Sequence, residues 1–78
     1  MITIKLDKML GVRDGILCRT EKGEFLLSFD EMSKYPNQPV PMGEEIKIEN
    51  CGDGYAIMTI GRTKMKFSES WLRERNLL

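Results

Sequence analysis

Apolar and polar side chains change places with a period of two along most of this chain. Ile2, Ile4 and Leu6 alternate with Thr3, Lys5 and Asp7, the pattern of a strand with one buried face, and the run can extend through Met9 and Leu10. Arg13-Asp14-Gly15 marks a turn. Beyond it, Ile16 to Thr20 and Phe25 to Phe29 flank Glu21-Lys22-Gly23-Glu24, which predicts a hairpin with glycine where a positive φ is needed. Pairing Thr20 with Phe25, Cys18 with Leu27 and Ile16 with Phe29 gathers six mainly apolar residues on one face and leaves Arg19, Glu21, Glu24 and Ser28 on the other. Cys18 then reads as a small buried hydrophobe.

The second half follows the same logic. Glu45, Lys47 and Glu49 alternate with Ile46 and Ile48, and Cys51-Gly52-Asp53-Gly54 turns the chain into Tyr55 to Ile60. A four-residue turn predicts Asn50 opposite Tyr55 and Ile48 opposite Ile57. Gly61-Arg62 suits a two-residue turn, setting Ile60 against Thr63, Met58 against Met65 and Ala56 against Phe67. Strand 55–60 is apolar on both faces and calls for cover on both sides or closure into a barrel. At the C-terminus, Ser68 or Ser70 can cap a short helix over Trp71 to Leu78, with Glu69 near its positive end. That helix is too short to stand alone, so Trp71, Leu72, Leu77 and Leu78 are expected to pack on Met58, Ile60, Met65 and Phe67.

Between the halves lies residues 33–43, carrying Pro36, Pro39 and Pro41 with Asn37 and Gln38. Each half is too small to sustain a core by itself, so the loop joins two hairpin groups within one domain, 1–78, rather than separating two domains. No repeat is visible in the residue pattern. The expected fold is mainly β: a small antiparallel barrel or curled sheet of five to six strands with a short C-terminal helix.

Composition narrows the chemistry. The chain has 78 residues and no histidine, so Ser-His-Asp and Cys-His catalysis are excluded. Cys18 and Cys51 form no C-x-x-C pair and cannot assemble a structural zinc site within one chain; no metal or cofactor is expected. Acidic pairs such as Asp30-Glu31 and Glu44-Glu45 point apart on a strand, and no enzymatic role is expected. Asp53 between two glycines reads as turn chemistry rather than as a metal loop. With no secretory signal pattern and no long apolar run, a cytoplasmic protein with reduced thiols and no membrane span is expected.

Lys+Arg and Asp+Glu balance at 12 each, yet the charge is segregated. Residues 62–75 carry a net charge of +3 and residues 44–53 a net charge of −3. Three features point to protein binding: an unusually apolar strand, a long proline-stiffened loop, and polarity without net charge. The leading expectation is a non-enzymatic module, an accessory subunit or inhibitor that masks a surface of a larger partner protein. Tyr35, Val40, Met42 and Trp71 would anchor it, and Glu45 and Glu49 would orient it. Homodimerisation through an exposed strand edge is a variant. The alternative is an RNA or single-stranded DNA binder using Arg62, Lys64, Lys66, Arg73 and Arg75, with Trp71 or Tyr55 stacking a base. Length with Met and Pro usage is compatible with a viral or mobile-element accessory protein.

Overall fold

The alternation of buried and exposed side chains does build strands, and they join into one sheet. The computed structural model describes residues 1–78. Its strands are β1 (Ile2–Val12), β2 (Gly15–Thr20), β3 (Gly23–Ser28), β4 (Glu45–Asn50), β5 (Tyr55–Ile60) and β6 (Thr63–Ser68). The short helices α1 (Phe29–Met32) and α2 (Glu69–Glu74) follow β3 and β6. All pairings are antiparallel, in the order β3-β2-β1-β4-β5-β6. β1 serves two partners. Ile2 to Lys5 pair with β4, Leu6 to Val12 pair with β2, and a register shift between Leu6 and Lys8 breaks the ladder there. An extra residue of this kind bends the strand, so the sheet curls around its concave side. Ile4, Leu6, Ile16, Cys18, Leu27, Ile46, Met58, Ile60 and Met65 line that side as the core, and Leu72 and Leu77 close it from the C-terminus.

Several registers differ from the sequence expectation. The β5–β6 hairpin is as expected: Ile60 faces Thr63, Met58 faces Met65 and Ala56 faces Phe67, with Gly61 at φ +60°. The β2–β3 hairpin is tighter. Thr20 pairs with Gly23, Cys18 with Phe25 and Ile16 with Leu27, because the Thr20 hydroxyl bonds Lys22 N–H and Gly23 O and closes a two-residue turn at Glu21-Lys22. The shift is by two residues, so the buried face survives. Phe29, expected at the end of that strand, instead opens α1: the Ser28 hydroxyl accepts from the Glu31 N–H and stops the ladder. In β4–β5 the register is displaced by one. Ile48 faces Met58 and Asn50 faces Ala56, because Cys51 N–H reaches Tyr55 O and adds a residue to the turn. The displacement brings Ile46 and Ile48 opposite Ile60 and Met58 within the core.

A repeat, absent from the residue pattern, is plain in the structure. Every element of the first half recurs 40 positions later: β2 at 15–20 and β5 at 55–60, β3 at 23–28 and β6 at 63–68, and the N-caps Ser28 and Ser68. Phe29 N–H bonds Asp14 O and Glu69 N–H bonds Gly54 O, each at 2.9 Å. The halves meet along β1 and β4, where Ile4 pairs with Ile46 and Leu6 N–H bonds Glu44 O. These two rungs exchange under the 40-residue offset, as an approximate two-fold axis between β1 and β4 requires.

Candidate docking surface

The proline loop runs along the outer edge of β6 and satisfies it with side chains. The Tyr35 hydroxyl donates to Lys66 O at 2.6 Å and accepts from Lys66 N–H at 3.0 Å. Gln38 Oε1 accepts from Lys64 N–H at 3.1 Å, and the Thr63 hydroxyl donates to Pro39 O at 2.7 Å. A sheet edge is a row of unpaired backbone donors and acceptors, and these contacts blunt it. Three prolines suit the task, because they hold the segment extended without asking for backbone donors of their own.

Draped this way, the loop leaves a groove of about 310 Å³ between itself, α1 and β6. Ile16, Met32 and Met65 lie on the core side of it, and Phe29, Pro39 and Val40 rim it. Phe29 is 53% exposed and Val40 72%; Met42, at 78%, follows two residues on. Apolar side chains left this open beside a concave apolar floor can receive an apolar group of a partner. Phe29 was not among the expected docking residues. Its strand-like neighbourhood hid it, and the Ser28-x-x-Glu31 capping pattern is the signal that would have placed it at a helix start.

The other expected anchors take different positions. Tyr35 is half-buried, its hydroxyl engaged with β6. Trp71 is sandwiched: its ring stacks on Phe67 at 3.9 Å, meets Phe25 edge-on, and carries the Arg75 guanidinium 3.8 Å from its centre. Glu45 and Glu49 stand exposed on the convex face of β4, Glu45 3.7 Å from Lys47.

The five basic residues of 62–75 do not form one stripe. Lys64 and Lys66 project from the convex face, Lys66 toward Asp53 and over the Tyr55 ring, while Arg62 sits in the β5–β6 turn. Arg73 and Arg75 belong to α2 and its C-cap, which pack on the concave face; Arg73 pairs with Glu69 at 2.8 Å and Arg75 donates to Trp71 O. The same convex face carries an apolar row that alternation alone did not single out: Leu10, Leu17 and Leu26 lie side by side across β1, β2 and β3.

Of the two thiols, Cys18 is fully buried, and burial pushes its pKa up to about 11. Cys51 is exposed in the β4–β5 turn. No group of three or more His, Cys, Asp and Glu side chains is arranged to hold a metal ion. No known protein family, curated protein or solved structure matches this sequence.

Proposed function

We propose that the protein is a non-enzymatic binding module, an accessory subunit or inhibitor that docks on a larger partner protein and masks part of its surface. The groove beneath the proline loop is the docking site in this reading. The observation that carries it is the exposure of Phe29 and Val40 around an apolar floor held by a loop already ordered through β6. A rigid, pre-ordered rim lowers the entropic cost of association, and a single aliphatic or aromatic side chain from the partner would fill the cavity. Glu45 and Glu49 would steer the encounter toward a basic surface. Both cysteines are free, in keeping with a reducing compartment such as the cytoplasm.

The test is affinity capture from native lysate with the tagged wild type and with Val40→Glu and Phe29→Glu. One stoichiometric protein larger than the bait is expected, released by both substitutions while thermal stability is retained. Absence of any such protein, or capture indifferent to both substitutions, refutes the reading.

The nucleic-acid reading retains one favourable observation, Lys64 and Lys66 beside the half-exposed Tyr55 on the convex face. It has lost Trp71, both of whose faces are covered, and the two arginines of the α2 end. Oligonucleotide binding at low salt that is reduced by Lys64→Glu with Lys66→Glu would favour it over the groove.

A further inference from the structure

The approximate two-fold axis makes β3 and β6 the two outer edges of the sheet, and the chain treats them differently. At β6 the outward backbone groups of Lys64 and Lys66 are engaged by Gln38 and Tyr35. The positions equivalent to these, 40 residues earlier, are Glu24 and Leu26. In the β2–β3 hairpin, Thr20–Gly23 closes the turn, and the narrow hydrogen-bonded pairs therefore fall at Gly23, Phe25 and Leu27. Glu24 and Leu26 turn their N–H and C=O groups out of the sheet. None of the loop, cap or side-chain hydrogen bonds reaches them. Nor does the segment after α2 run along this edge as the segment after α1 runs along β6. Asn76 takes φ 60°, Leu77 N–H bonds Leu72 O, and Leu77 turns back into the core. An open cleft lies beside β3, bounded across from it by Glu31 and the end of α2.

We propose that the β3 edge pairs with the β3 edge of a second copy of this chain, extending two six-stranded sheets into one across a two-fold axis. The proposal is independent of the groove, which lies on the β6 side. Two observations select a second copy over other strands. The first is the apolar row. Leu10, Leu17 and Leu26 end at the β3 edge, and an antiparallel pair with Leu26 opposite Leu26 carries the row unbroken into the partner. The second is charge. In that register Lys22, at one end of β3, falls opposite Asp30, at the other end, twice by symmetry, and Glu31 adds a carboxylate whose Oε2 is buried without a hydrogen-bond partner. The edge is thus complementary to itself, as an isologous interface must be. Glu24 stays with its own Arg19 at 3.0 Å and does not oppose a like charge. One strand edge is small against the roughly 1,200 Å² of a standard interface, so the dimer is expected to dissociate on dilution.

Sedimentation of the full chain over a wide concentration range tests this. The mass should rise from 9.0 kDa toward twice that value. Leu26→Lys, on the convex face and away from the core, should leave the fold intact and abolish the rise. Lys22→Glu should weaken association about tenfold, and the double variant Lys22→Glu with Asp30→Lys should restore it. Amide exchange at Glu24 and Leu26 should slow as concentration increases. A chain that stays at 9.0 kDa up to about millimolar concentration, or a dimer indifferent to Leu26→Lys and to the charge exchange, overturns the proposal.

Discussion

Replacing Tyr35 by phenylalanine removes one oxygen atom, leaves the ring against the core, and takes away both hydrogen bonds through which the proline loop holds Lys66. The lost contacts are the 2.6 Å bond to Lys66 O and the 3.0 Å bond from Lys66 N–H. A typical intramolecular hydrogen bond contributes about 1 kcal/mol net, and at a solvent-facing edge water takes over part of the role, so the pair should be worth roughly 1–2 kcal/mol. In a domain of this size that corresponds to a fall in Tm of roughly 5–10 °C. Thermal unfolding gives the magnitude and amide exchange gives the location: Lys66 N–H should lose protection while Lys64 N–H, held by Gln38, keeps more of its own. A change in Tm below about 1 °C with Lys66 protection unaltered would show that the loop does not seal β6 and would refute the argument for a pre-ordered groove rim.

Two further outcomes follow from the same geometry. Gly61 has φ +60° and a Cβ there would collide with the Met42 carbonyl oxygen, whereas Gly52 has φ +80° in open space; Gly61→Ala should therefore destabilise by at least about 1 kcal/mol more than Gly52→Ala in urea unfolding, and equal costs would refute the close approach. With the Cys18 pKa raised to about 11 by burial, the unfolded thiol, at its ordinary value of 9.0, ionises first as pH rises. Its contribution to stability is thus complete below pH 9 and is lost as pH climbs to about 11, a slope that Cys18→Ala should remove. At neutral pH a thiol reagent should modify Cys51 alone until the protein unfolds.

What could be read from the sequence was the alternation, and what could not was mostly local turn chemistry. The β5–β6 register was legible because Gly61-Arg62 leaves few ways to turn. The β4–β5 register was not, because Asn50 Oδ1 accepts from Gly52 N–H and Asp53 Oδ1 from Tyr55 N–H, building a longer turn than the residue types alone suggest. Phe29 was assigned to a strand on hydrophobicity, although the Ser28 cap decides otherwise. The repeat escaped notice because burial constrains side-chain volume and polarity, not identity: Cys18 recurs as Met58, Phe25 as Met65 and Leu27 as Phe67, all buried, while the exposed positions are free to differ. The candidate site was legible in part. Val40 and Met42 are exposed as expected of a docking loop, but the separation of Lys64 and Lys66 from Arg73 and Arg75 depends on which face α2 crosses, and periodicity along one strand carries no information about that.

The junction of β1 with β4 bears on how the molecule is reached from the unfolded chain. Every other pairing in the sheet joins strands that are neighbours in sequence, and such hairpins close within microseconds. The junction alone demands a distant encounter, and it must be made across the proline segment. Assembly is thereby divided into two rapid local events and one slower capture, with the barrier at the capture. Because closure entropy grows only logarithmically with loop length, trimming or extending residues 36–40 should change that rate modestly, whereas disturbing Ile4 or Ile46 should change it strongly.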